Sequence, residues 1–270
     1  MLLVFVWCVQ TMGQIKNYLS YNKHCENRNN TIVKMRYQKI IRAAEKLLLP
    51  SETSPATPHK NAEWISYHIP KTAGSSLRLC FEQALPFNRV YAAYEPAEAK
   101  KLTKGQSVWI PPKASLIQGH FKPHTAHSEM FPNALTIVWV RDPVERIFSL
   151  VRHLIQVKGR HPHYLLLKDS YGDFKEGDLD VIVTDMIINN TLPTFTQTYT
   201  HFFSNVPIEQ MDFVGAVHRY REDLARLAKF MRLPLEEYRQ NVRNSDNHTP
   251  HHHSLKSALS EEYDIVERYL

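Results

Sequence analysis

One short segment, residues 134–140, restricts the fold more than any other part of the sequence. It reads ALTIVWV and carries no charged residue. An apolar strand of this kind is typical of a central parallel strand that is covered on both faces. Arg141, Asp142 and Pro143 follow it, and a helix is predicted from residue 144 to about residue 157. A buried strand that leads directly into a helix is a building unit of α/β folds.

Other strand and helix segments alternate along the chain. Strands are predicted over residues 63–69, 115–118 and 212–217. Helices are predicted over residues 76–85, 179–188, 195–203 and 221–231, with a last helix capped by Ser260 and ending at Tyr269. Residues 159–177 are polar and predict a long loop. This alternation predicts the α/β class with a central parallel sheet flanked by helices.

The compact domain is predicted over residues 62–270, and residues 1–61 are predicted to lie outside it. This N-terminal part comprises a leader, a helix over residues 35–49 and a proline-containing linker over residues 50–61. The apolar run at residues 1–9 is shorter than a membrane-spanning helix. We therefore expect a soluble, cytoplasmic protein, while a membrane-anchored form that uses this run stays open.

The charge balance favours an anionic ligand or substrate. The chain has 33 Lys and Arg against 27 Asp and Glu, a formal net charge of +6, and it has 15 histidines. Three cysteines, an odd number, argue against a disulfide framework. A nucleic-acid partner is not predicted. The histidine-rich stretches at residues 161–163 and 248–253 suggest substrate-side or solvated loops, and no metal site is predicted.

A first motif, residues 68–77, lies between a predicted strand and a predicted helix. It reads HIPKTAGSSL. A turn of small residues lets backbone N–H groups approach an anion, and the helix that follows directs its positive dipole end to the same place. Lys71 adds a charge, and Ser75 and Ser76 add hydroxyl donors. The motif lacks the Walker pattern, and the alternative is a plain strand-to-helix turn with a solvated lysine.

A second motif, residues 140–149, follows the buried strand and reads VRDPVERIFS. Arg141 stands at the carboxyl end of that strand, where open α/β sheets bind ligands. Arg141 and Ser149 are predicted to bind a further phosphate. Asp142 is expected to cap the helix, and Arg146 is expected to form a surface ion pair with Glu145 or a neighbour.

The two motifs, in this order and each between a strand and a helix, resemble those of sulfotransferases that use 3'-phosphoadenosine 5'-phosphosulfate. The resemblance is greatest to the branch of heparan sulfate 2-O- and 6-O-sulfotransferases and their bacterial relatives, and it covers residues 62–231. It implies a P-loop-like three-layer domain and a carbohydrate acceptor. It also assigns site residues. The 5'-phosphosulfate would be bound by Lys71, Thr72, Ala73, Gly74, Ser75 and Ser76, and the 3'-phosphate by Arg141 and Ser149.

A third feature, Gly119-His120-Phe121, follows the strand predicted over residues 115–118. Histidine is suited to remove a hydroxyl proton near neutral pH. In the heparan sulfate branch a histidine between the two motifs serves as the base, so the resemblance implies that His120 is catalytic together with Lys71. His124 and His127 are alternatives, and His68 is expected to pack beside the turn.

These observations predict transfer of a sulfuryl group to an acceptor hydroxyl, without a metal. Two alternatives stay open. A P-loop-type small-molecule kinase would use the same turn for a nucleotide, although no clear magnesium carboxylate is present. A nucleotide-binding module without activity would keep the turn and lose the base.

Overall fold

The computed structural model describes residues 43, 45–49, 52–86, 88–157, 159, 161–238 and 252–270. Contacts divide the chain into two units, Met1–Ser51 and Glu52–Leu270. In the first unit residues 43 and 45–48 are helical. The rest of the helix predicted over residues 35–49 and the apolar residues 1–9 lie outside the described residues. Within the described residues, no helix has the length and apolar character needed to cross a membrane.

The second unit is built on a five-stranded sheet in which every neighbouring pair is parallel. The strands are β1 (Trp64–Tyr67), β2 (Val90–Ala93), β3 (Leu116–Gly119), β4 (Leu135–Val140) and β5 (Phe213–Ala216). Their order across the sheet is β2-β3-β1-β4-β5. The α/β class and the parallel sheet predicted from the sequence are confirmed.

Helices connect the strands and flank the sheet. They are α1 (Gly74–Ala84), α2 (Pro96–Thr103), α3 (His127–Met130), α4 (Pro143–Val157), α5 (Pro162–Tyr171), α6 (Leu179–Ile188), α7 (Pro193–Thr196), α8 (Thr198–Phe202), α9 (Tyr220–Met231), α10 (His252–Ala258) and α11 (Ser260–Val266). Short 3₁₀ turns lie at Glu176–Asp178, Ile208–Gln210 and Glu267–Tyr269.

Strand β4 is covered on both faces, as its apolar sequence predicts. Ile137 and Trp139 belong to a buried cluster that contains side chains of α1 and α9. Val138 and Val140 belong to a second cluster, on the opposite face, with Tyr199 and Phe202 of α8. Successive side chains of a strand point to opposite faces, so one apolar strand supplies both layers of the core.

Helix α4 buries one face along its length, and this face packs against other helices. Its buried side chains recur at Val144, Ile147, Val151 and Leu154, the spacing of one helical face. They pack with α6, whose observed bounds, Leu179–Ile188, are those predicted from the sequence.

Four local predictions differ from the structure. Strand β2 and helix α2 were not predicted; β2 has only four residues, VYAA, and so short an apolar run does not by itself identify a strand. Residues 159–177 contain helix α5, which begins with Pro162 at its first turn and buries only Leu167. The helix predicted over residues 195–203 is two short helices, α7 and α8. Ser260 is the first residue of α11 and does not cap it; the capping position is Leu259.

The residues predicted as a linker have contacts within the second unit. Thr53 forms an isolated antiparallel bridge with Val108. His59 Nε2 lies 2.8 Å from the carbonyl oxygen of Ala114. Residues 52–61 are therefore attached to the unit that contains the sheet.

Candidate active site

A cavity of about 810 Å³ opens at the carboxyl ends of four adjacent strands, β3, β1, β4 and β5. The residues directly after these strands, His120, His68, Arg141 and Val217, all line it. The predicted site residues that line it are Lys71, Ala73, Gly74, Ser75, Ser76, His120, Arg141 and Ser149. The fold therefore brings together two motifs that are about 70 residues apart in the sequence.

The turn formed by residues 70–76 has an unusual backbone. Lys71 has φ 73° and Ala73 has φ 62°, a region that residues with a Cβ seldom adopt. Helix α1 begins at Gly74, directly after these two residues. Backbone strain of this kind costs about 1–3 kcal/mol per residue and is concentrated at functional sites. Its position at a helix N-terminus fits an anion-binding turn.

Thr72 differs from its neighbours in the 70–76 turn. Its hydroxyl donates to the carbonyl oxygen of Ile69 at 2.8 Å, and its N–H donates to the same oxygen at 3.3 Å. The residue is buried and is absent from the cavity lining. In this structure Thr72 stabilises the turn through its hydrogen bonds to Ile69. The contact between Thr72 and a ligand stays a prediction.

Lys71 lies in an environment that disfavours its charge. Partial burial and, to a lesser extent, the Arg141 guanidinium lower the pKa of Lys71 below its ordinary value. Two cations that face one cavity repel each other, and an anion bound between them would remove that cost. A bound anion would therefore stabilise this arrangement.

Arg141 is held by its neighbours in the second motif. Its Nε lies 3.2 Å from Glu145 Oε2, and its side chain is 21% exposed. Its N–H donates to the Tyr199 hydroxyl at 2.9 Å. Asp142 Oδ1 accepts from the Glu145 N–H at 3.0 Å, so Asp142 caps α4 as expected.

The surface ion pair predicted for Arg146 is wrong. Arg146 is 1% exposed, donates to the carbonyl oxygen of Phe195, and lies over the ring of Tyr199 with its Cζ 5.7 Å from the ring centroid. Glu145 pairs instead with Arg141. On α4 the side chain of Arg146 faces the core, where a carbonyl and an aromatic face stabilise its charge.

His120 is the middle residue of a row across three strands. In the sheet Gly119 is paired with Ala93 of β2 and with Tyr67 of β1, so the next residues, Tyr94, His120 and His68, are neighbours. The His120 ring centroid lies 4.4 Å from that of His68 and 4.8 Å from that of Tyr94. Gly119 is required there, because a Cβ on it would lie 2.0 Å from the carbonyl oxygen of Ala93.

The imidazole of His120 is uncharged at neutral pH. His120 is an exposed residue at the edge of the open cavity, and the packing of its ring beside neighbouring side chains lowers the pKa of His120 to about 4. Among the described residues it has no hydrogen-bond partner. Of the two alternatives, His127 is buried in the core, and His124 Nδ1 accepts from the Ala126 N–H at 3.1 Å; neither lines the cavity.

Several cavity-lining residues were not predicted as site residues. His153 of α4 lines the cavity together with His161 and His163 at the start of α5, and these last two were predicted only as part of a substrate-side or solvated loop. His218, Arg219 and Arg221 follow β5 and also line it. The position of basic residues directly after a predicted strand was a signal that could have identified this last group. The described residues contain no group of three or more metal-ligating side chains.

Comparisons with known proteins found structural similarity only. No family model matches the sequence, and no curated protein matches it. A sulfotransferase from Alicyclobacillus acidocaldarius has 12% identity and a TM-score of 0.40, with 77% of this chain and 94% of that chain covered. Mouse sulfotransferase SULT7A1 complexed with PAP has 10% identity and a TM-score of 0.34, with 75% of this chain and 63% of that chain covered.

Proposed function

We propose that the protein is a sulfotransferase that moves a sulfuryl group from 3'-phosphoadenosine 5'-phosphosulfate to an acceptor hydroxyl. The observation that carries the proposal is the shared cavity. The 70–76 turn, His120 and Arg141 come from three separate parts of the chain and line one space of about 810 Å³. The two motifs that resemble sulfotransferase motifs thus line the same cavity, which supports a single ligand for both.

The charges of the lining fit a donor with two anionic ends. Lys71 and the N-terminus of α1 would bind the 5'-phosphosulfate. Arg141 and Ser149, on the neighbouring strand end and helix, would bind the 3'-phosphate. Arg141 is already paired with Glu145, so the 3'-phosphate would compete with or reorient that pair.

The proposed reaction is an in-line transfer. The acceptor oxygen forms a bond to sulfur while the bond between sulfur and the bridging oxygen of the 5'-phosphate breaks. The hydroxyl proton passes to a ring nitrogen of His120, and adenosine 3',5'-bisphosphate leaves. Lys71 and backbone N–H groups of the 70–76 turn stabilise the charge that develops on the departing phosphate, and preorganised donors of this kind are often the largest catalytic contribution.

For the acceptor we propose a carbohydrate hydroxyl. The support is the resemblance of the two motifs to the heparan sulfate branch. The polar side of the cavity formed by His153, His161 and His163 offers hydrogen-bonding groups that suit a sugar. This part of the proposal is tested by an acceptor screen across glycans, small alcohols and tyrosine peptides, with added sulfate detected by mass spectrometry.

The donor is tested by transfer and by binding. Radiolabelled donor should transfer sulfate to at least one acceptor in the screen. Adenosine 3',5'-bisphosphate should raise the melting temperature by mass action, and ATP with or without magnesium should raise it much less. If ATP with magnesium stabilises the protein more than the bisphosphate does, the kinase alternative replaces this proposal.

A further inference from the structure

Two tyrosine–histidine pairs of the same kind lie in the part of the chain that the structure describes. The Tyr67 hydroxyl lies 2.9 Å from Nδ1 of His127, and the Tyr94 hydroxyl lies 2.8 Å from Nδ1 of His68. Both histidines are buried, with 3% and 6% of their surface exposed. The two pairs differ at the other ring nitrogen, and that difference assigns them different roles.

In the first pair both ring nitrogens are satisfied within the protein. His127 Nε2 lies 2.9 Å from the carbonyl oxygen of Leu102. A carbonyl oxygen only accepts, so Nε2 carries the proton and Nδ1 accepts from the Tyr67 hydroxyl. His127 does not line the cavity. This pair is structural.

In the second pair the other nitrogen is left open. Among the described residues His68 Nε2 has no hydrogen-bond partner, and His68 lines the cavity. Its Cδ2–Nε2 edge lies against the start of α1, because a Cβ built on Gly74 would be 1.9 Å from Cδ2 and 2.1 Å from Nε2. Nε2 is not one of the buried side-chain atoms that lack a partner, so it is accessible from the cavity, where a ligand or water can bind it.

We propose that His68 is a further ligand-contacting residue, an uncharged donor whose Nε2–H binds a 5'-phosphate oxygen of the anion at the 70–76 turn, and that Tyr94 is the positioning residue that fixes this tautomer. The identity of the anion rests on the function proposed above. The donor role itself rests on the contrast with His127 and on the contact with Gly74.

The surroundings keep His68 neutral and Tyr94 protonated. Burial, followed by the nearby His120, Arg78 and Lys71, holds the pKa of His68 well below its ordinary value. Burial raises the pKa of Tyr94 and outweighs the opposite effect of Arg78. The protonated tyrosine hydroxyl is able to donate to Nδ1, and in the proposed arrangement it does so, with the single ring proton of His68 on Nε2.

In this assignment two adjacent imidazoles have opposite roles, one as a hydrogen-bond donor and the other as a base. His68 presents a proton to the ligand, whereas His120, 4.4 Å away between ring centroids, would take one from the acceptor. The Tyr94 hydrogen bond prevents His68 from presenting a bare Nε2 acceptor at the turn. A bare acceptor there would repel an anionic oxygen.

The tautomer is tested first, by nitrogen-15 NMR of the imidazole rings in the full chain. We expect the proton on Nε2 of His68 in the wild type and a mixture of tautomers in Tyr94→Phe. Tyr67→Phe is the matched control, since it removes the same bond from His127 and should leave the His68 signals unchanged. A proton on Nδ1 of His68 in the wild type would overturn the proposal.

The ligand contact is tested with two probes, adenosine 3',5'-bisphosphate and inorganic phosphate. Saturation with either should shift the His68 Nε2–H signal. His68→Phe should lower the affinity for adenosine 3',5'-bisphosphate by roughly twofold to tenfold, the effect of one neutral hydrogen bond. His68→Gln should restore part of this affinity. If His68→Phe does not fold, the wild-type NMR titration alone decides.

The outcomes separate the two proposals. A response of His68 to phosphate without bisphosphate binding would support its donor role and contradict the proposed sulfotransferase donor. Bisphosphate binding without any response of His68 would leave the proposed function intact and overturn the role of His68. No response to either probe would also overturn it.

Discussion

Glu145 Oε2 lies 3.2 Å from Arg141 Nε, so the guanidinium expected to bind the 3'-phosphate already has an anionic partner. The Glu145 side chain is 50% exposed, and an exposed pair of this kind contributes only about 0.2–1 kcal/mol. A bound phosphate with two charges would replace it at small cost. Glu145 thus keeps Arg141 oriented and weakens anion binding slightly.

Glu145→Gln should therefore raise the affinity for adenosine 3',5'-bisphosphate by about twofold to fivefold, because the competing carboxylate is gone. Isothermal titration calorimetry measures this change. Glu129→Gln removes the same charge from an exposed site outside the cavity and is the control. A weaker bisphosphate complex in Glu145→Gln would mean that the pair is needed to place Arg141.

Arg141→Ala should lower the affinity for adenosine 3',5'-bisphosphate by about one to two orders of magnitude, since a charge-assisted hydrogen bond contributes about 1.5–3 kcal/mol. Adenosine 5'-monophosphate, which lacks the 3'-phosphate, should bind almost unchanged. Arg152→Ala on the same helix is the control, because Arg152 does not line the cavity. Equal losses for both nucleotides would contradict the assignment of Arg141 to the 3'-phosphate.

Lys71→Ala should lower turnover by about two to three orders of magnitude, because it removes a donor to the developing charge of the leaving phosphate. The fold should survive, since the lysine side chain lines the cavity and not the core. Steady-state transfer of radiolabelled sulfate measures the effect, and the melting temperature reports on the fold. Activity within a few-fold of wild type would remove Lys71 from the catalytic machinery.

His120→Ala should lower turnover by about two to four orders of magnitude and leave bisphosphate binding nearly unchanged. His124→Ala is the matched control, as His124 lies nearby in sequence but outside the cavity lining. A severe loss in His124→Ala instead would show that the base is a different histidine.

The pH dependence of the same reaction follows from the pKa of His120, which the packing of its ring lowers to about 4. The base must be neutral, so activity is present above this pKa and is lost as the pH falls through it. The acid limb of kcat/KM for the donor reports the free enzyme and should lie well below pH 6.5. A bound anionic donor stabilises the protonated form of the His120 ring and raises its pKa. The acid limb of kcat should therefore lie at higher pH than the acid limb of kcat/KM. An acid limb of kcat/KM above pH 7 would exclude His120.

Gly74→Ala should lower the melting temperature by about 3–10 °C, because the new Cβ would lie 1.9 Å from Cδ2 of His68 and force the ring away. The same substitution should lower the affinity for adenosine 3',5'-bisphosphate. Gly177→Ala is the control, since nothing lies within 4 Å of a Cβ at that glycine. Unchanged stability in Gly74→Ala would show that the His68 ring moves freely.

Four of the five strands, and the position of the two motifs after β1 and β4, could be predicted from the sequence because their signals are local. The run at residues 134–140 and the turn at residues 70–76 each carry their own evidence for a strand or a turn. Strand carboxyl ends meet at one edge of a parallel sheet, so Arg141 could be placed near Lys71.

Other features depend on pairings that no local signal reveals. Tyr94 reaches His68 only because β2 pairs with β3, and the four residues of β2 are too few to identify it as a strand from the sequence. Arg146 looks like a surface residue beside Glu145, yet the face of α4 that packs on α7 buries it. Helix α5 was not predicted because its three leucines are consecutive and do not repeat at helical spacing, and only Leu167 is buried.

Four adjacent strands end at one cavity, and this arrangement links ligand binding to the cooperativity of unfolding. A bound molecule that touches positions from His68 to Arg221 is released when any one of these strands detaches. Its binding free energy is therefore added to the free energy of global unfolding. It is also added to the free energy of every partial unfolding that breaks the sheet. Amide hydrogens of Ile65, Ile117 and Val138, in three different strands, should become slower to exchange by the same factor when the cavity is filled.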